Sequence, residues 1–168
     1  MDILWAPWRQ AYVRGEKPAG CFICEIARQQ NDAQNFVLWR ASLSLILLNR
    51  FPYNSGHLMV CPVRHAASLS DLTSAERYEL QDGLCHCQRA LSDIYKPDGF
   101  NIGVNLGAAA GAGLADHLHW HILPRWTGDS NFMSSIAELR VLSQSLDASF
   151  QLLGPALRSS IIQGLDSA

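Results

Sequence analysis

The chain has 168 residues, of which 48% are apolar and 17% charged, with a formal net charge of −2. A chain of this size and balance buries one sizeable core; the composition excludes wholesale disorder and a broad basic footprint for nucleic acid. No apolar run approaches the roughly 18 residues of a membrane span.

The opening Met1-Asp2-Ile3-Leu4-Trp5-Ala6-Pro7-Trp8-Arg9 lacks a basic region before a long apolar stretch, so it does not read as a secretory signal. Five cysteines, an odd number, fit a reducing cytoplasm better than a disulfide framework. The first 20 residues read as irregular, with Trp5 and Trp8 as packing anchors. Pro18-Ala19-Gly20 turns into Cys21-Phe22-Ile23-Cys24, which enters a short helix through Gln29. Strands are expected at Phe36–Trp39, Leu43–Leu48 and His57–Cys61, the last two forming a hairpin across the turn formers Asn49 to Gly56. Thr73-Ser74-Ala75-Glu76 is a capping box, with the Thr hydroxyl accepting from the Glu amide and the Glu carboxylate reaching back. Leu80, Leu84, Cys87, Leu91 and Ile94 then mark one face of a long amphipathic helix that ends near Lys96-Pro97-Asp98-Gly99. A fourth strand is expected at Phe100–Asn105, a Gly/Ala loop at Gly107–Gly113, and a fifth strand at His117–Leu123. Thr127 to Asn131 is a polar loop, and Ser134 to Gln163 read as helical with Gly154-Pro155 as an interruption. Hairpin-joined strands with segregated helices argue an α+β fold with a roughly five-stranded antiparallel sheet. The whole chain, residues 1–168, is expected to form a single domain with its core over about 20–135.

His117-Leu118-His119-Trp120-His121 carries the chemistry. Alternation puts the three imidazoles on one face, about 6.6 Å apart at a rise of roughly 3.3 Å per residue, and Leu118, Trp120 and Ile122 on the other. On the residues alone, such a row also suits a metal site or a solvated strand face. The Gly/Ala loop upstream adds backbone N–H groups that can approach an anion closely, Asn105 adds an amide, and His57 a fourth imidazole. Together they supply a nucleophile, an acid and a phosphate cradle. Cys21-x-x-Cys24 has the spacing of a zinc knuckle, and His65 and His117 could complete a closed tetrahedral set that pins the amino-terminal segment to the catalytic strand. The alternative is a pair of packed cysteines with His65 on the surface. Cys85-His86-Cys87 is no metal site, since Cys87 lies on the apolar stripe and Cys85 does not.

The chain resembles the histidine triad (HIT) family of nucleotide hydrolases and transferases, in the branch of diadenosine tetraphosphate (Ap4A) phosphorylases and fragile-histidine-like hydrolases. The matching pieces are Leu4 to Arg9, Leu48 to Val60, Gly99 to Gly107, His117 to Trp126 and Gly128 to Met133. The resemblance implies that His119 attacks the α-phosphorus to form a nucleotidyl-histidine, that His121 binds phosphate and shares a proton with the leaving oxygen, and that His57 contacts the phosphate chain. Asn49 would bind a ribose hydroxyl, and Leu47 and Met59 would pack on the base. Asn105 and the amides around Gly111 and Ala112 would hold the phosphates. The second step would be phosphorolysis or hydrolysis, the zinc structural, and Mg a possible companion of the substrate phosphates. Partners implied are a small nucleotide and a second copy, whose sheet continues the first in a homodimer; neither nucleic acid nor membrane is among them. Many relatives carry Gln or Ser after the loop glycine. Gly111-Ala112-Gly113 here offers only backbone donors, a loss of roughly 1.5–3 kcal/mol per charge-assisted bond. That departure keeps open the reading of a nucleotide sensor with little turnover; the other rival, within enzymes, is a phosphoramidate or adenylate hydrolase of the smaller branch.

Overall fold

The computed structural model describes residues 20–129 and 144–165. Trp5, Trp8, the matching stretch Leu4 to Arg9, the motif residues Ser130 to Met133 and the start of the helical stretch at Ser134 lie outside the described residues. Five strands form one antiparallel sheet: β1 (Val37–Arg40), β2 (Ser44–Leu48), β3 (Leu58–Pro62), β4 (Gly99–Val104) and β5 (Trp120–Arg125), in the order β1-β2-β3-β5-β4. The α+β architecture and the β2–β3 hairpin match the reading of the sequence.

The sheet is covered on both faces near β1–β3. On one side, Leu38, Ile46, Leu48, Leu58, Val60 and Ile122 pack under α3 (Ser74–Tyr95) and α4 (Leu146–Leu165). On the other, Val37, Leu45, Leu47, Met59 and Cys61 bury Ile23 and Ile26 of α1 (Phe22–Arg28). A one-turn helix, α2 (Asp32–Asn35), precedes β1 and was not apparent in the sequence. Arg40 ties α1 to the sheet: its guanidinium donates to the carbonyls of Ile26, Ala27 and Gln29 and pairs with Asp32 at 2.7 Å. It thereby satisfies the carbonyls that a helix end leaves without partners.

The capping box at Thr73 forms as expected, with Glu76 N–H donating to Thr73 Oγ1 and Thr73 N–H to Glu76 Oε2. Glu76 also receives Arg64 through both oxygens, at 2.9 and 2.8 Å. These hydrogen bonds, Arg64 foremost, hold its carboxyl down at about 2. Leu80, Leu84, Cys87 and Leu91 are buried as the spacing requires, but Ile94 in the last turn is 36% exposed.

Two expectations need correction. The histidine strand begins at Trp120 rather than His117. Pairing of β3 with β5 stops at Val60–Trp120, and Pro62, lacking an N–H, cannot extend the ladder. Its carbonyl instead faces His117 Nε2 at 2.9 Å. Gly154-Pro155 does not interrupt the carboxy-terminal helix, which runs from 146 to 165 with Pro155 inside it. A proline clashes in part with the Cβ of the residue before it; glycine has none. Leu153 and Leu157 of α4 are fully buried in the larger hydrophobic cluster.

Gly56, one residue before His57, has φ +77°, and a Cβ there would stand 2.8 Å from Tyr95 Cε2. Gly56→Ala is expected to destabilise the fold by about 1–3 kcal/mol through strain and overlap. Chemical denaturation compared with the parent checks this; unchanged stability would contradict it.

Candidate active site

The sheet pairing brings the site together. Leu47, Met59, His121 and Gly103 oppose one another across β2, β3, β5 and β4, so the side chains of Leu47, Met59 and His121 share the face that α1 covers only in part. His57, immediately before β3, is 1% exposed, His119 6% and His117 1%. Three of the four imidazoles expected from the sequence lie close together, rings 119–121 and 57–121 having centroids 5.0 and 5.1 Å apart, while the ring of His117 stands 5.0 Å from that of His65.

Hydrogen bonds assign the tautomers. His119 Nδ1 lies 2.8 Å from the carbonyl of His117, which can only accept, so Nδ1 carries the hydrogen. In the neutral ring that leaves Nε2 with a bare lone pair, the form a nucleophile needs. Tyr53 N–H donates to His57 Nδ1 at 3.1 Å, which places the His57 hydrogen on Nε2. That atom is 2.9 Å from His121 Nδ1, so His121 accepts there and carries its own hydrogen on Nε2. The result is a one-way chain ending in an N–H donor on His121, whose ring stands beside that of His119. Burial, then the His121 and His119 imidazoles, pushes His57 down to about 3. Burial, then His119, pushes His121 down to about 4. Both rings are therefore neutral at pH 7, as the chain of tautomers requires.

Since the unfolded histidines titrate near 6.5, the unfolded chain binds protons that the folded one refuses as pH falls from about 6.5 toward 4. Stability is present in full above pH 6.5 and should fall on acidification, by up to about 1.4 kcal/mol per pH unit for each ring. Denaturation midpoints at pH 7, 6 and 5 test this, and replacing His57 by Gln should flatten the slope.

The other expected site residues fare differently. Asn49 sits at the end of β2, but its Oδ1 accepts from Phe51 N–H at 2.9 Å in a local turn. Leu47 and Met59 are 2% and 5% exposed, largely inside the small core. Asn105 follows β4 and is half-buried, and among the described residues its side chain makes no hydrogen bond. Gly111 and Ala112 lie in the exposed loop, where their N–H groups close the turn onto Ala108 at 3.0 Å and Gly107 at 3.4 Å. Tyr53 was not singled out in the sequence beyond its turn; its ring stands 4.9 Å from that of His57 and 6.1 Å from that of His121.

Beside the triad, the ligand atoms of Cys21, Cys24, His65 and His117 all lie within 4.8 Å of one another. His117 Nδ1 is 3.1 Å from Cys21 Sγ and 3.5 Å from Cys24 Sγ; His65 Nδ1 is 3.3 Å from Cys24 Sγ. Zn–S and Zn–N bonds of about 2.3 and 2.0–2.1 Å separate sulfur from nitrogen by about 3.5 Å in a tetrahedron, so the set fits zinc. Burial, then the neighbouring Cys21, raises the Cys24 thiol, and a divalent cation is what would hold both sulfurs as thiolates. The same His117 gives Nδ1 to the metal cluster, Nε2 to Pro62 and its carbonyl to His119.

The family model for the HIT domain matches residues 30–128. The chain belongs to the HIT family. A relative from Mycobacterium tuberculosis named AP-4-A phosphorylase is 40% identical over 160 residues, covering 89% of this chain and 81% of that protein. The Schizosaccharomyces pombe bis(5'-nucleosyl)-tetraphosphatase is 33% identical over 93 residues, covering 55% of this chain and 50% of that protein. Among solved structures, a Zn-bound histidine triad family protein from Mycobacterium smegmatis superposes with a TM-score of 0.68 at 27% identity, covering 88% of this chain and 96% of that one. No helix among the described residues of this HIT domain is long and apolar enough to cross a membrane.

Proposed function

We propose that this HIT-family chain is a nucleotidyl-transferring enzyme acting on dinucleoside polyphosphates of the Ap4A type. The observation that carries the reading is the pair of opposed tautomers: a bare Nε2 on His119 beside an Nε2–H donor on His121. The similarity to proteins named for tetraphosphate and Ap4A cleavage supports the substrate class.

The His119 Nε2 lone pair attacks the α-phosphorus, forming a P–N bond as the bond to the bridging oxygen breaks. Its electron pair leaves with the polyphosphate, whose oxygen takes a hydrogen bond from His121 Nε2–H. The His117 carbonyl, already bonded to Nδ1–H, stabilises the positive charge on the substituted ring. Phosphate or water then attacks the phosphorus and frees His119. His57 keeps His121 in the donating tautomer. Asn49 would offer its amide N–H to a ribose hydroxyl, and the edges of Leu47 and Met59 would back the base. The loop of Gly111 and Ala112 would hold phosphates with Asn105, the 3.4 Å bond from Ala112 to Gly107 being long enough to yield to a phosphate oxygen. Mg would ride on the substrate's phosphates. Cys21, Cys24, His65 and His117 would hold one structural zinc with no open position.

A homodimer with a continuous sheet is part of this reading. β4 is an edge strand with exposed Ile102 (48%) and is followed by Leu106 (46%), apolar groups that a second edge would cover. Five unpaired thiols suit a reducing, cytoplasmic setting. Rapid mixing with Ap4A, with and without phosphate, tests the function. ATP and ADP formed only with phosphate marks a phosphorylase; AMP without it marks a hydrolase. Tight binding with almost no product would sink the reading in favour of a sensor, and faster turnover of an adenosine phosphoramidate would move it to that class.

A further inference from the structure

The hydrogen bonds around His57 do not stop at the triad. His57 N–H donates to the Asn54 carbonyl at 3.2 Å, while Tyr53 N–H donates to the ring. The Asn54 amide nitrogen donates to the carbonyl of Pro124 at 3.3 Å and to Asp129 Oδ2 at 3.4 Å, and its oxygen accepts from Ser55 N–H. Asp129, its side chain 13% exposed, is gripped by Arg125 through Nε at 2.5 Å and Nη2 at 2.7 Å, and by Trp126 N–H. The remaining Arg125 nitrogen, Nη1, donates to Asn101 Oδ1 on β4 at 2.6 Å. Arg125 and His121 both belong to β5, on the same face, about 13 Å apart at roughly 3.3 Å per residue. The bonds therefore make a closed ring: from β5 through Arg125, Asp129, Asn54 and His57, and back to β5 at His121.

We infer that Asn54 and Asp129, braced by Arg125, are positioning residues that hold the turn 53–57 so that His57 presents Nε2–H to His121. This inference rests on the reading of His121 as the donor to the leaving group. Without that tether the turn, which contains Gly56 at φ +77°, would let the His57 ring rotate or flip, and each flip reverses the tautomer His121 must adopt. Bidentate pairing with arginine makes Asp129 the firm end of the ring. Asn54 is the link that carries its position to the turn.

The test is nitrogen-15 NMR of the imidazoles at pH 7 on the full chain, alongside steady-state kinetics, for Asn54→Ala, Asp129→Ala and Asp129→Asn. The parent should show single tautomers, with Nδ1 unprotonated and Nε2 protonated on both His57 and His121. In Asn54→Ala and Asp129→Ala the two rings should average between tautomers. Their kcat should fall about tenfold or more with KM changed by less than about twofold, and Asp129→Asn should lie between. Folded variants that keep the parent's tautomers overturn the inference, whether or not turnover falls, because the network then only supports the loop. Should Asp129→Ala fail to fold, Asn54→Ala decides by the same spectrum. The spectra need no substrate, so a parent with averaged-free, fixed tautomers but no Ap4A cleavage would sink the functional reading and leave this inference standing.

Discussion

His119→Ala is expected to abolish turnover of Ap4A, by on the order of 10³-fold or more, a barrier increase of at least about 4 kcal/mol. The imidazole is 6% exposed, and its Nδ1 is committed to the His117 carbonyl, so Nε2 is the only nucleophilic atom it offers. Alanine removes that atom and leaves the rest of the histidine face in place. Nucleotide affinity should therefore survive while kcat collapses, which equilibrium binding and single-turnover kinetics on the same variant would separate. Turnover within about tenfold of the parent would show that the chemistry lies elsewhere.

The second large effect concerns Cys24→Ser. The parent should purify with about one zinc per chain and the variant with none, because four protein ligands around one ion leave no replacement for a lost thiolate. A metal held at 1,000 times its Kd contributes about 4 kcal/mol to stability, or roughly 10 °C in Tm for a domain of this size. The loss should reach the active site as well. His117 belongs to both centres, and freeing its ring loosens the carbonyl that orients His119. A chelator added to the parent should reproduce both effects. An unchanged metal content in the variant would refute the assignment.

The two centres differ in how far the sequence revealed them. Alternating histidines announce a shared face because the period of two is local, and Cys-x-x-Cys announces ligands because the spacing is local. That Pro62 ends the β3 ladder, so that His117 and His119 precede the strand, depends on which strand lies alongside. The roles of Tyr53, Asn54 and Asp129 depend on turns 70 residues apart meeting at one end of the sheet, and nothing in their own spacing signals it. His86 shows the same limit: it links α3 to α4 by a 3.0 Å contact with Ser160, a partner that nothing in Cys85-His86-Cys87 signals. Pro155 misleads in the opposite direction, since a preceding glycine lets the helix pass. The α+β fold itself was legible because capping, amphipathic spacing and turn residues agree.

The most direct measurement is acid-free rapid quenching of the enzyme with labelled Ap4A, followed by peptide mass spectrometry. A nucleotidyl group on Nε2 of His119, formed and consumed at rates that account for turnover, is the predicted result. Full turnover with no adduct on that residue at any time would contradict the account.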